Sequence, residues 1–318
     1  MATSPRLRLG TRGSPLALAQ ANETRRLLAA ANTDLADDGL ADDGAVEVVV
    51  IRTTGDAVLD RPLSEIGGKG LFTKEIDEAL LDGSIDLAVH SMKDVPTWLP
   101  DGIIIAAMLE REDPRDAFIS PHGETLADLA AGAVVGTASL RRQSQVLHKR
   151  PDLVVMPFRG NVQTRLRKLE AGEADATLLA LAGLRRLDLA RDVGAPIATD
   201  DILPAVGQGA IGITCRTDDE ATRRILATID HGETTVRVSA ERAMLEVLDG
   251  SCRTPIAGLA EIDDDGALTL RALVARPDGS EVIETTRHAA VAAATAMGRD
   301  AGEELRGRAG PGFLDDHG

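Results

Sequence analysis

The stretch HSMKDVP, residues 90–96, brings a histidine, a serine, a lysine and a carboxylate close together in the chain. It directly follows the apolar run IDLAV, so we expect these side chains at the carboxyl end of a buried strand. A carboxylate beside a lysine can move protons or stabilise a cation. A structural ion pair between Lys93 and Asp94 explains the same residues equally well. Because no G-x-S-x-G turn is present, Ser91 and His90 are not predicted to form a nucleophilic triad.

A second candidate site is a basic segment. Residues 133–191 contain eleven Lys and Arg against five Asp and Glu, a net charge of +6, while the rest of the chain carries −22. Arg141 and Arg142 fall in the first turn of one predicted helix, and Arg159 and Arg165 flank the start of the next. Cations there oppose the helix dipole by ~0.3–1 kcal/mol each. With the free N–H groups of a helix N-terminus they are suited to bind carboxylates or phosphates. The alternative is a solvated face with i,i+4 ion pairs.

The two cysteines lie in different surroundings. Cys252 is in the turn-like stretch LDGSCRTP, although cysteine is usually a small buried hydrophobe. Either this turn is buried or its sulfur is used. Cys215 ends the apolar run AIGITC, and we expect it in a core. Two cysteines without a CxxC or a His/Cys cluster form no disulfide framework and predict no metal site.

The composition limits the classes of partner. The 318 residues carry a net charge of −16, and aromatic residues make up 2%. Such a chain is not expected to bind nucleic acid. Only five of its 35 basic residues are Lys, which is typical of a protein from a high-salt cytoplasm, although GC-rich codon usage would also favour Arg. No apolar run reaches the ~20 residues of a membrane span, and MATSPRLRLG lacks a signal-peptide core. We therefore expect a cytoplasmic protein.

Strand-like and helix-like runs alternate over most of the chain, and the predicted strands include RLRLG, VEVVVIR, IDLAVHS, AVVGT and DLVVMP. Ser14, Ser139 and Asn161 are predicted N-caps, and Gly83 and Gly172 mark predicted helix ends. This alternation with apolar strands predicts two α/β lobes with mainly parallel sheets. The Gly-rich segment LPAVGQGAIGITC is expected to cross back to the first lobe. After residue 231, a helix, three strand candidates and a final helix predict a small α+β domain.

Nine stretches together resemble one family, porphobilinogen deaminase, also called hydroxymethylbilane synthase. They span about residues 11–280 in matching order: TRGSPLALAQ, GGKGLFTKE, VHSMKDVP, REDPRDAF, VGTASLRRQSQ, FRGNVQTRL, LPAVGQGA, ERAMLEVLDGSC and RALVARPDGS. Taken alone, GGKG fails the P-loop pattern GxxxxGK[ST] and predicts only a loop.

The resemblance implies a fold and a reaction. The fold would be two lobes like those of type II periplasmic binding proteins, residues 1–109 with 205–227 and residues 110–204, followed by an α+β domain, residues 228–318. The enzyme would be a monomeric transferase of tetrapyrrole (haem) biosynthesis, without a metal. It would join four porphobilinogen molecules into hydroxymethylbilane with release of ammonia. The chain would grow on a dipyrromethane cofactor, linked by a thioether to Cys252.

The resemblance also implies roles for individual residues. Asp94 would stabilise developing positive charge and be catalytic together with Lys93 and Arg12. The residues implied to bind the cofactor are Cys252, Lys69, Lys93, Asp94, Thr137, Ser139, Arg141 and Arg142. Those implied to bind substrate carboxylates or line the same pocket are Arg12, Ser14, Gln20, Arg159, Asn161, Arg165, Arg186 and Gln208. The sequence departs from the family pattern at Glu65, Ala138, Ser251 and Arg253.

Two other functions fit parts of the pattern. A binding protein without catalysis would also have two lobes that hold a small anion, but Cys252, Asp94 and the lack of an export signal favour an enzyme. A cysteine hydrolase would need a histidine placed by motif near Cys252, and none is predicted.

Overall fold

The computed structural model describes residues 7–32, 46–57, 73–190, 194–248 and 254–313. These residues form two compact units. The first comprises 7–32, 46–57, 73–111 and 210–235, and the second comprises 112–190, 194–209, 236–248 and 254–313. The division into three domains at residues 110, 205 and 228 stays a prediction.

The first unit contains a five-stranded mixed sheet. Its strands are β1 (Leu7–Arg12), β2 (Val46–Ile51), β3 (Leu87–Ser91), β4 (Ile103–Met108) and β10 (Ile211–Arg216), in the order β2-β1-β3-β10-β4. The first three are parallel, and β10 runs antiparallel to both of its neighbours. The predicted crossing of the Gly-rich segment back to the first lobe is therefore confirmed.

Among the described residues, the helices that accompany this sheet are α1 (Pro15–Ala31), α2 (Thr54–Ala57), α3 (Lys74–Leu81) and α7 (Glu220–Ala227). Ser14 caps α1 as predicted, since its Oγ accepts a hydrogen bond from the Ala17 backbone N–H at 3.2 Å. The core between sheet and helices contains Leu9, Leu28 and Cys215, each fully buried.

The second unit repeats this design. Its strands β5 (Asp116–Ile119), β6 (Val134–Gly136), β7 (Val154–Met156), β8 (Ala176–Ala180) and β9 (Ala195–Pro196) lie in the order β7-β6-β8-β5-β9. Again three parallel strands are followed by an antiparallel one. The strand order thus matches that of the first sheet position by position, which confirms the prediction of two similar α/β lobes.

The helices of this lobe are α4 (Leu140–Lys149), α5 (Val162–Glu170) and α6 (Leu181–Arg186). Ser139 and Asn161 are the N-caps of α4 and α5, as predicted, and accept hydrogen bonds from backbone N–H groups of the first turns.

The described residues from 232 onward form a three-stranded antiparallel sheet and two helices. The elements are α8 (Gly232–Val247), β11 (Ile256–Ile262), β12 (Ala267–Ala275), β13 (Val282–Ala290) and α9 (Ala294–Ala309). Helix α9 packs on this sheet around a core of aliphatic side chains. The α+β composition agrees with the prediction.

The sequence patterns missed several elements. Strands β4, β5 and β9 and helix α7 were not among the predicted elements, and both large sheets are mixed rather than mainly parallel. The amphipathic run AAVAAATAMGRDAGEELRG predicts a final helix from about residue 289. The helix instead starts at Ala294, because β13 continues to Ala290 in register with β12. Among the described residues, we find no helix with both the length and the apolar character to cross a bilayer.

Candidate functional site

In the first unit, the predicted site residues follow two neighbouring strands. Arg12 ends β1 and Ser91 ends β3, and a single 3₁₀ turn, Met92–Asp94, comes next. Because β1 and β3 are parallel neighbours, their carboxyl ends meet at one edge of the sheet. Nη1 of Arg12 lies 3.8 Å from Oδ2 of Asp94, and the two side chains are 22% and 32% exposed. The carboxylate is thus paired with a cation and still accessible to a ligand.

Gln20 and Ser91 form a second contact at this edge. Gln20 is buried on α1, its Nε2 donates to Ser91 Oγ at 2.9 Å, and Ser91 Oγ lies 3.2 Å from Gln20 Oε1. Gln20 therefore fixes the serine that precedes the catalytic candidates Lys93 and Asp94. Lys93 itself is half-buried in the 3₁₀ turn.

His90 has a structural partner. Its Nε2 lies 3.0 Å from Thr214 Oγ1 on the adjacent strand β10. Burial, reinforced by the positive charge of Arg12, lowers the pKa of His90 to about 4. The imidazole is therefore neutral at pH 7 and carries no charge to pair with Asp94.

In the second unit, Thr137 and Ser139 organise the start of α4. Thr137 is buried just after β6, and its Oγ1 accepts from the Ser139 N–H at 3.2 Å. Ser139 Oγ in turn accepts from the Arg142 N–H at 3.4 Å. Both hydroxyls thus shape the turn that presents the two adjacent arginines.

Arg141 and Arg142 are buried around Asp116, the first residue of β5. Each arginine is 5% exposed and Asp116 is 0% exposed. Arg142 donates from Nε and Nη2 to the two carboxylate oxygens at 3.1 and 2.8 Å, and Arg141 donates from Nη2 at 2.8 Å. Gln208 Nε2 donates to the same carboxylate at 2.8 Å. Burial by itself would raise the pKa of Asp116, but the two guanidinium charges hold it well below its ordinary value.

Asp116 was not among the site residues predicted from the sequence. Arg141 and Arg142 were predicted to be open to a ligand, whereas part of their hydrogen-bonding capacity is taken by this carboxylate. Asp116 stands in the stretch REDPRDAF, directly in front of the apolar residues AFI, and neither feature indicates which side chains it contacts.

Arg159 and Arg165 lie at the N-terminus of α5, as predicted. Arg165 Nε donates to the Gly160 carbonyl at 2.8 Å. Nη1 of Arg159 is buried and has no hydrogen-bond partner among the described residues. Gly160 has a φ of +121°, and a Cβ there would lie 2.6 Å from Thr164 Cγ2, so the turn that carries these arginines requires glycine. Asn161 Oδ1 accepts from the Thr164 N–H at 2.9 Å.

Arg186 and Gln208 both form hydrogen bonds at the Gly-rich segment 207–209, to which Gln208 itself belongs. Arg186 Nη1 donates to the Gly209 carbonyl at 3.1 Å, and Gln208 Nε2 donates to the Pro114 carbonyl at 2.7 Å. Two further predicted residues, Lys69 and Cys252, lie outside the described residues. The departures Glu65, Ser251 and Arg253 do as well, while Ala138 is exposed.

Two α/β sheets of the same strand order, each with arginine side chains near its strand ends, define the class of proteins with two similar α/β lobes. Two family models match the chain: "Porphobilinogen deaminase, dipyromethane cofactor binding domain" over residues 7–224, and "Porphobilinogen deaminase, C-terminal domain" over residues 235–307. The chain belongs to the porphobilinogen deaminase family, a family of enzymes.

Curated relatives match over nearly their whole length. The chloroplastic porphobilinogen deaminase of Pisum sativum is 59% identical, over 97% of this chain and 83% of its own. The porphobilinogen deaminase of Nitrobacter winogradskyi is 58% identical, over 96% of this chain and 94% of its own. A solved ABC-transporter periplasmic substrate-binding protein from Coxiella burnetii is a distant match, with 14% identity, a TM-score of 0.43 and coverage of 74% of this chain and 96% of its own. The family assignment does not depend on that structure.

Proposed function

We propose that this protein is a transferase of tetrapyrrole biosynthesis that joins four porphobilinogen molecules into hydroxymethylbilane and releases ammonia. The product chain grows on a dipyrromethane cofactor bound through Cys252. The observation that carries this proposal is the 3.8 Å pair of Arg12 and Asp94 at a sheet edge, in a chain of the porphobilinogen deaminase family.

The arginines of the second unit fit a ligand with several carboxylates. Each porphobilinogen ring brings an acetate and a propionate, so the growing chain is a polyanion. Nε of Arg141 and Nη1 of Arg159 are buried donors without a hydrogen-bond partner among the described residues. Because such donors cost free energy when they are left unpaired, these atoms fit incoming carboxylate oxygens. Further carboxylates would be bound by Arg165, Arg186 and Asn161 of this unit. Ser14, in the first unit, would also bind a carboxylate. The pocket would be lined by Thr137, Ser139 and Gln208.

Asp94 would act on the reacting ring. When bound, the cofactor would supply the free pyrrole α-carbon to which the first ring is joined, and each later ring would be joined to the terminal ring of the growing chain. As ammonia leaves porphobilinogen, positive charge develops on the pyrrole, and Asp94 accepts a hydrogen bond from the ring N–H and stabilises that charge. Arg12 and Lys93 hold substrate and cofactor carboxylates beside it, and Gln20 keeps Ser91 in place.

The second cysteine supports the choice of Cys252 as the attachment site. Cys215 is fully buried in β10, and burial raises the pKa of its thiol to about 11. Its sulfur is therefore protonated at neutral pH and enclosed in a core. Cys252 is the one other cysteine of the sequence, and Lys69 would bind a carboxylate of the attached cofactor.

The intact mass of the purified protein tests this function. We expect a mass above that of the sequence by one dipyrromethane, and a colour reaction with an acidic aldehyde reagent. Both should be absent in Cys252→Ala and present in the matched variant Cys215→Ala. An unmodified protein with full activity would contradict the proposal.

The remaining sequence predictions extend this proposal. We propose that the enzyme acts as a monomer in a high-salt cytoplasm, without a metal and without binding nucleic acid. The net charge of −16 supports the last point, because a strongly acidic surface repels a phosphate backbone. We also propose the three-domain division at the boundaries given by the sequence.

A further inference from the structure

Asp116 cannot itself contact a ligand, because its acceptor capacity is used up. Oδ1 accepts from Arg142 Nη2 and Gln208 Nε2, both at 2.8 Å, and Oδ2 accepts from Arg141 Nη2 at 2.8 Å and Arg142 Nε at 3.1 Å. A carboxylate has about four lone-pair sites. The side chain is also 0% exposed. Whatever Asp116 does for the enzyme, it does through the residues around it.

The cluster of Asp116, Arg141 and Arg142 carries one positive charge that is not balanced. Two guanidinium groups and one carboxylate leave a net charge of +1 within a region where the arginines are 5% exposed. Arg141 also donates from Nη1 to the Leu203 carbonyl at 2.9 Å, and its Nε is buried without a partner. Arg142 donates hydrogen bonds to Asp116 from Nε and Nη2, and its Nη1 makes no hydrogen bond to that carboxylate. A buried charge of this kind is costly unless a counter-charge is supplied.

We propose that Asp116 is a positioning residue, which locks the guanidinium groups of Arg141 and Arg142 so that one net positive charge and two fixed donor nitrogens face a single carboxylate of the bound pyrrole chain. This inference rests on the proposed function. Locking both arginines in advance reduces the ordering that binding would otherwise require. It also keeps the pair from acting as a doubly charged site that would hold an anion too tightly to let the chain advance.

A purely structural ion pair is the competing explanation. Buried ion pairs are weak contributors to stability compared with apolar residues of the same volume, so folding alone is a poor reason to place three charges here. The two explanations differ in what a conservative change does. If only charge balance matters, the variant Asp116→Glu should bind substrate and cofactor as the wild-type protein does. If position matters, moving the carboxylate by one methylene disturbs binding even though the charge is kept.

The test compares Asp116→Glu and Asp116→Asn with the wild-type protein. The matched control is Asp152→Asn, which breaks the 2.7 Å ion pair of Asp152 with Arg150 in the same unit. Three kinds of measurement are made: the melting temperature, the fraction of protein that carries dipyrromethane by intact mass, and the steady-state kinetics (kcat and KM) with porphobilinogen. Mass spectra after brief incubation with substrate also give the number of rings retained on the protein.

For a folded Asp116 variant we expect a KM raised about tenfold to a hundredfold, as for the loss of one charge-assisted hydrogen bond. We also expect a smaller modified fraction and fewer retained rings. Asp152→Asn should match wild type in all three.

Wild-type KM and modified fraction in a folded Asp116 variant would overturn the inference. So would failure of both variants to fold, since Asp116 would then serve the fold itself. A wild-type protein without added mass would instead overturn the proposed function, and the inference with it.

Discussion

The carboxylate of Asp94 lies 3.8 Å from the guanidinium of Arg12, where Arg12 is the last residue of β1 and Asp94 follows the end of the parallel strand β3. Both side chains are partly exposed, and an ion pair in that position contributes about 1 kcal/mol or less to stability. The pair therefore contributes little to folding, and its proposed role in binding and catalysis can be tested separately from stability.

Replacing Asp94 with alanine should leave the fold intact and reduce kcat at least about a hundredfold, the usual cost of losing a group that stabilises transition-state charge. The measurement is steady-state turnover of porphobilinogen, with the melting temperature taken in parallel. Asp101→Ala, at an exposed position of the same unit, is the matched control and should keep wild-type turnover. Turnover of Asp94→Ala within tenfold of wild type would contradict the role.

Ser139→Ala should lower the free energy of unfolding by about 1 kcal/mol, because the N-cap hydrogen bond to the Arg142 N–H is lost. Urea denaturation measures the change. Ser139→Thr keeps a hydroxyl and should recover most of the loss. Equal stability of the alanine and threonine variants would show that the cap contributes nothing.

His90 should make the protein less stable in acid. Its pKa is about 4 in the folded state and about 6.5 when unfolded, so between these values the unfolded chain binds more protons. The free energy of unfolding therefore rises with pH between about 4 and 6.5 and loses this contribution as the pH falls. Urea denaturation at pH 5 and pH 7.5 should show a smaller difference in His90→Gln than in wild type. His288→Gln, at an exposed position, should keep the wild-type difference, and an unchanged difference in His90→Gln would contradict the assignment.

Molar salt should maintain or increase activity and stability. The net charge of −16 produces self-repulsion that dissolved ions screen. Turnover and melting temperature are measured from low salt to several molar KCl. A sharp optimum at low salt would show that the acidic composition is no adaptation to high salt.

Local features were predictable because their causes are local. Ser14, Ser139 and Asn161 were identified as caps from the sequence, since a cap depends on residues within one turn. The same holds for the apolar runs of β1, β2, β3 and β6. Strand β9 was missed because two residues give no periodicity, and β4 and β5 because periodicity does not distinguish a strand from a buried helix segment in a short apolar run.

By itself, the sequence indicated the porphobilinogen deaminase family and the reaction that this family implies. It also located Asp94 and the basic segment, and it predicted two similar α/β lobes followed by an α+β region. Only the tertiary structure decided which side chains meet. Asp116 reaches Arg141 and Arg142 over 25 and 26 residues and Gln208 over 92, and Gln20 reaches Ser91 over 71. Strand order and helix packing set these contacts, and no local pattern records them. That is why the sequence presented Arg141 and Arg142 as open cations, while the fold shows them already held by a buried carboxylate.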